Sequence, residues 1–233
     1  MDSASSFYPP STQMSFCEIC GKLYSALGKR LVQYDFMAAR LVPSLEETHR
    51  FEIDCNGAGI VVVVARTERK LSEFGVISAP NPKLRELEEG DQETNMKERS
   101  LASLQLTQFG CGCLALASCY NHFTLDGSTI RDFEVNLGAL TRGGDLIIVP
   151  NAGNALVPGF ARASVRHLIE LENACHIRKV QEGVKRLDDE YIKLGIDWLE
   201  VNKGAPCMED SFSLVAWWRL GLDTIAKKTF NDS

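Results

Sequence analysis

The run Ser100-Leu-Ala-Ser-Leu-Gln-Leu-Thr-Gln108-Phe-Gly-Cys111-Gly-Cys113-Leu-Ala-Leu-Ala117-Ser-Cys-Tyr-Asn-His122-Phe123 decides how the second half of the chain is built. It is small and apolar, and Leu114 to Ala117 read as part of a buried helix, Ala and Leu being strong helix formers. Turns punctuate the chain downstream of it. Asp126-Gly127 marks one, and Ser128 is placed to cap a helix carrying Ile130, Phe133 and Leu137. Gly143-Gly144 leads into Asp145-Leu-Ile-Ile-Val149, a short apolar strand bounded by Pro150. Phe160 to Cys175 reads as helical through Val165, Leu168, Ile169 and Leu171. Beyond it Val180, Val184, Leu187, Tyr191, Leu194 and Trp198 make a heptad-like stripe separated by charged residues. Asp210 or Ser211 caps a last helix bearing Leu214, Val215, Trp218, Leu222 and Ile225.

Upstream, Ser15-Phe-Cys-Glu18 matches a capping box and opens a helix whose apolar face is Phe16, Cys20, Leu23, Leu27 and Leu31, with Pro43 ending the element near Leu41. Residues 1–14, polar and holding Pro9 and Pro10, read as a flexible arm. Phe51, Ile53 and Cys55 alternate with polar residues, and Asn56-Gly57 then precedes Ile60 to Val64, a hairpin signal over 49–66 with the valine run central in its sheet. Residues 80–99, with Pro80, Pro82, Gly90 and a mostly acidic run, read as an exposed loop. The expected architecture is α+β and helix-rich, with a small sheet built around the hairpin near 49–66 and a short strand near 145–149. Residues 15–79 form a helix-plus-hairpin region, and the helix-rich 100–233 packs on it as one domain.

The chain has 233 residues at 25.8 kDa, 45% hydrophobic and 24% charged, which is a globular balance and excludes a disordered chain. A net charge of −6 argues against generic nucleic-acid binding by counterion release. No apolar run reaches the length of a membrane-spanning helix, and no export signal opens the chain, so an intracellular, reducing location is expected for its eight cysteines.

Phe16-Cys17-Glu-Ile-Cys20-Gly-Lys-Leu-Tyr24 resembles the opening half of a Cys2His2 zinc finger, which makes Cys17 and Cys20 candidate metal ligands. The finger takes two histidines downstream, where this chain has Gln33 and Met37; Cys111 and Cys113 would complete a set of four thiolates instead. No other cofactor is implied. Gln108-Phe-Gly-Cys111-Gly-Cys113 resembles the nucleophile segment of papain-like cysteine peptidases. The resemblance implies Cys113 as nucleophile at a helix N-terminus and Gln108 as oxyanion donor, and of the downstream histidines His176, rather than the helix-bound His167, is the candidate base. His122 is too close in sequence to meet Cys113 if both lie on one helix. Gly144-Asp-Leu-Ile-Ile-Val-Pro-Asn151-Ala-Gly153-Asn154 is similar to the ADP-ribose-binding strand and loop of macro domains. That likeness implies ribose-facing roles for Asn151 and Asn154 and a backbone donor at Gly153, a phosphate or nucleotide loop over 151–159.

The stripe at Val184, Leu187, Tyr191, Leu194 and Trp198, with Trp217, needs no missing part to act as an interface. The sequence therefore reads first as a non-enzymatic, self-associating interaction or assembly protein with protein partners. A thiol hydrolase built on Cys113 and a nucleotide-binding module are the alternatives.

Overall fold

The structure is a computed structural model that describes residues 2–11, 14–47, 50–75, 100–145, 153–203 and 209–215. Met1–Asn154 and Ala155–Leu214 belong to separate compact units. The α+β class holds, with small sheets and helices in mixed order.

The segment expected to be a buried helix is a hairpin of two strands, β5 and β6. The chain's strands are β1 (Asp2–Tyr8), β2 (Arg40–Pro43), β3 (Phe51–Asp54), β4 (Val61–Arg66), β5 (Ala102–Gln108) and β6 (Leu114–Tyr120). β5 and β6 pair antiparallel from Ala102 opposite Tyr120 to Gln108 opposite Leu114. They are the middle of a four-stranded sheet ordered β1-β6-β5-β4. Leu114, Leu116 and Tyr120 point into the main core, while Ala115, one residue out of phase, packs with Phe74 and Phe109 on the opposite face. A strand buried on both faces reads as a continuous apolar run, and periodicity cannot then distinguish it from a buried helix.

Glycine sets the connection. Gly112, at φ +82°, donates from its N–H to the Phe109 carbonyl (2.8 Å), and the Phe109 N–H bonds the Cys113 carbonyl (2.9 Å). This closes a three-residue loop of the kind that ends in a left-handed residue. Gly110 packs directly on the segment after β4: its N–H donates to the Arg69 carbonyl at 3.0 Å, and a Cβ there would stand 2.2 Å from the Glu68 carbonyl oxygen. Backbone cannot yield as a side chain can, so Gly110→Ala is expected to cost about 1–3 kcal/mol. A lowered urea midpoint checks this; an unchanged midpoint would show that the loop is not seated on Glu68.

β1 replaces the expected N-terminal arm. It lies antiparallel on β6, Asp2 opposite Tyr120 through Tyr8 opposite Leu114, and Tyr8 is buried. Pro9 and Pro10 end the strand instead of marking a loose segment. The hairpin expected over 49–66 does not form either. β3 pairs with β2, and β4 runs parallel to β5. The Asn56-Gly57 turn exists, but the Gly59 N–H bonds the Ala38 carbonyl (3.0 Å) and Arg40 Nη1 donates to the Gly59 carbonyl (2.7 Å), which steers the chain away from β3. The valine run is accordingly an edge strand, with Val61 and Val64 exposed.

Two helices cover one face of the sheet. α1 (Phe16–Leu31) opens on the predicted capping box: the Glu18 N–H donates to Ser15 Oγ (3.3 Å) and the Ser15 N–H to Glu18 Oε2 (2.7 Å). It stops at Leu31, ten residues short of the expected end, and β2 occupies the stretch up to Pro43. α2 (Gly127–Thr141) is capped by Asp126 rather than Ser128, the Thr129 N–H donating to Asp126 Oδ1 at 2.8 Å. Between the helices Arg30 is fully buried, its guanidinium 3.9 Å from the Tyr34 ring centroid, with Nη1 on Gln33 Oε1 (2.9 Å) and Nη2 on the Asp132 carbonyl (3.4 Å). Burial holds its pKa below that of a free guanidinium. A charge so placed persists because aromatic faces and carbonyls surround it.

In the second unit the long helical readings break up. Only Val165–Glu170 (α3) is helical within 160–172. The heptad stripe divides between α4 (Asn173–Lys185) and α5 (Asp189–Asn202), because Asp188 accepts from the Tyr191 N–H (2.8 Å) and restarts the helix. Residues 211–215 are not helical. The loop over 80–99, most of the strand near 145–149 and Trp217 lie outside the described residues. Among the described residues no helix is long and apolar enough to cross a membrane.

Candidate functional site

The end of the central hairpin opposite its Cys-Gly-Cys turn carries a histidine. After Tyr120 the Asn121 N–H bonds the Leu101 carbonyl (2.9 Å), and Asn121 Oδ1 accepts from the Phe123 N–H (3.0 Å). Thr124 donates through its N–H (3.1 Å) and its hydroxyl (2.8 Å) to the Asn121 carbonyl. Asp126 then starts α2. A side-chain turn and a helix cap thus bracket His122 and Phe123 on a tight loop above the sheet, the kind of place where a rigid scaffold presents reactive groups.

His122 is half-buried, and Phe123 projects with 75% of its surface exposed. The Phe123 ring stacks on Phe51 of β3, centroids 6.4 Å apart at 25°. Asn154 Nδ2 donates to the His122 carbonyl at 2.7 Å and lies 3.5 Å from Nδ1 of the ring. The Gly153 carbonyl accepts from the Thr129 hydroxyl (2.9 Å) and the Asp126 N–H (3.4 Å). Residues 153–154 therefore hold the histidine loop in place. Where the nucleotide-loop reading expects a backbone donor at Gly153 and a ribose-facing Asn154, the Gly153 carbonyl accepts and the Asn154 amide is engaged with protein. Asn151 lies outside the described residues.

Beneath the loop, Tyr120 is buried and donates its hydroxyl to Glu134 Oε1 of α2 at 2.6 Å. Desolvation pushes the Glu134 carboxyl up, partly offset by hydrogen bonds from Ser118 and Tyr120. Desolvation, then the Glu134 charge, pushes the phenol well above its ordinary range. The bond ties the last residue of β6 to α2, two positions before His122. Because the folded state favours the protonated carboxyl, it holds a proton that the unfolded chain has released above the ordinary carboxylate range. Its contribution is complete at low pH and is lost as pH rises through the raised folded pKa. Glu134→Gln keeps an acceptor for Tyr120 and removes the titration. The melting temperature of Glu134→Gln relative to the natural chain is expected to climb as pH rises above the ordinary carboxylate range of about 4; a pH-independent difference would refute the raised carboxyl.

The helix start that the thiol-hydrolase reading places at Cys113 is not formed. Cys113 immediately precedes a strand, so no helix N-terminus favours its thiolate, and burial and its neighbour Cys111 push its pKa up. Gln108 is the last residue of β5, opposite Leu114. His176 lies on α4 of the second unit, its Nε2 3.1 Å from the His167 carbonyl. His122 is separated from Cys113 by the seven residues of β6 and by Asn121, so the two stand at opposite ends of a strand that is itself about 20 Å long. Cys17 and Cys20 sit on the first turns of α1, and desolvation raises the Cys20 thiol. Among the described residues, no group of three or more His, Cys, Asp or Glu is arranged to hold a metal. Of the interface candidates, Val184, Leu194 and Trp198 are exposed, Leu187 and Tyr191 are half-buried, and Leu187 falls in the break between helices.

A family model described as "Transferase family" matches residues 3–152, more than half of the chain, and the chain belongs to that transferase family. It is 33% identical over 135 residues to the acyltransferase GLAUCE of Arabidopsis thaliana, covering 58% of this chain and 30% of that one. It is 36% identical over 146 residues to shikimate O-hydroxycinnamoyltransferase of Nicotiana tabacum, covering 62% and 32% respectively. The chain thus spans about a third of the length of the relatives it matches. The crystal structure of vinorine synthase superposes with a TM-score of 0.53 at 23% identity, over 64% of this chain and 36% of that one. At that identity the likeness shows the fold alone. Membership of an enzyme family that transfers groups overturns both the non-enzymatic assembly reading and the hydrolase alternative.

Proposed function

We infer that this chain carries the base-bearing part of an acyltransferase that moves an acyl group from an activated ester or thioester to an alcohol or amine. The observation that carries the reading is the placement of His122. It stands half-buried on the loop from the central strand to α2, pinned by Asn154, in a chain whose relatives are named as acyltransferases. In this reading a ring nitrogen of His122 accepts the proton of the acceptor O–H or N–H as that atom attacks the acyl carbonyl carbon. The tetrahedral adduct collapses, the bond to the leaving group breaks, and the proton passes to the departing sulfur or oxygen. Asp126 acts on α2 and the loop rather than on substrate, since its carboxylate caps the helix.

Relatives are named for hydroxycinnamoyl, feruloyl and benzoyl transfer. The exposed Phe123–Phe51 stack beside His122 supports the same class of planar aromatic acyl group here. The direct test incubates the protein with a hydroxycinnamoyl thioester and a panel of alcohols and amines, with products read by mass spectrometry. A new ester or amide is expected. Release of free acid alone, with every acceptor recovered unchanged, would overturn the reading.

A further inference from the structure

We propose that Cys111 and Cys113 form a redox-active thiol pair that closes to a disulfide within the β5–β6 turn by exchange with a small-molecule disulfide. The pair lies at the opposite end of β6 from His122. Three observations place it. The three-residue loop Gly110–Gly112 reverses the chain with Cys111 within it and Cys113 at its end, and Gly112 between them, at φ +82°, supplies a conformation that other residues rarely adopt. The two thiols lie close enough to influence each other's ionisation. Their surroundings are unequal: Cys111 is exposed, whereas Cys113 is half-buried against Phe74, Phe109 and Ala115.

That inequality matches what exchange requires of an attacking and a resolving thiol. Backbone N–H groups of Leu71 and Cys113 hold the Cys111 thiol below its ordinary pKa, so at neutral pH it is the better source of thiolate. The exposed Cys111 thiolate attacks one sulfur of glutathione disulfide, forming a mixed disulfide and releasing one glutathione thiolate. Cys113 then gives up its proton and attacks the Cys111 sulfur, forming the Cys111–Cys113 bond and releasing the second glutathione. Two protein thiols are oxidised and one glutathione disulfide is reduced to two glutathiones.

The test equilibrates the reduced full chain in glutathione buffers of stepped ratio, traps remaining thiols by alkylation and reads the digest by mass spectrometry. The expected result is a peptide holding both cysteines that resists alkylation and lacks two hydrogens, appearing before exposed Cys17 and Cys55 are modified. In Cys113→Ser the product becomes a persistent glutathione adduct on Cys111. In Cys111→Ser the reaction at Cys113 slows by at least about tenfold. A stable glutathione adduct on Cys111 of the natural chain, or oxidation no earlier than at Cys17 and Cys55, overturns the proposal.

Discussion

Replacing His122 with alanine is expected to lower acyl transfer by about 10²- to 10⁴-fold, the range that one positioned general base supplies. The loss should fall on kcat, because the ring acts on the proton as the new bond forms and contributes little to holding either substrate. Stability should hardly move. The Asn154 bond that pins the loop goes to the His122 main-chain carbonyl, which alanine retains. Asn121 and Asp126, which shape the loop on either side, are untouched by the change. Melting within about 2 °C of the natural chain together with collapsed turnover would separate chemistry from folding. Activity within a few-fold of the natural protein would remove His122 from the mechanism and leave the transferase reading to other residues.

The legibility of this site tracks the reach of each signal. The Ser15–Glu18 capping box is a local hydrogen-bond pattern, fixed by residues three apart, and it forms as read. The Asp126 cap and the Asn121 turn are equally local and bracket His122 in the sequence. The histidine still escapes notice as a base, because reading Leu114–Ala117 as helix makes it a neighbour of Cys113 instead of a residue at the far end of a strand. The cause is tertiary. β6 is flanked by β1 on one side and β5 on the other and is packed on both faces, so its apolar run carries no alternation to reveal a strand. The partners of β4 are hidden for a related reason. Its parallel pairing with β5 spans the whole of 67–101, and no turn signal encodes a contact between strands so far apart. Likewise, the approach of Asn154 to His122 joins residues 32 apart and depends on α2 lying between them.

Phe133→Ala is expected to have the largest effect on stability, about 3–5 kcal/mol, the range for removing a buried aromatic ring. Phe133 is fully buried on α2 and meets Tyr34 edge-on at 5.4 Å and Tyr120 at 5.8 Å, while the Arg30 guanidinium lies 5.3 Å from its ring. Its loss opens a cavity beside a buried charge. Arg30 keeps the Tyr34 face but loses its second aromatic neighbour, and a buried cation tolerates vacated space poorly. Tyr120 loses its edge contact at the place where it bonds Glu134, so the junction of β6 with α2 beneath His122 loosens as well. Phe133→Leu refills part of the volume and should recover about half of the loss. Urea unfolding of the three proteins checks this through the midpoint at constant slope. A cost for Phe133→Ala below about 1.5 kcal/mol would mean that Arg30 and its neighbours collapse into the space, and that the ring is not what holds the two helices to the sheet.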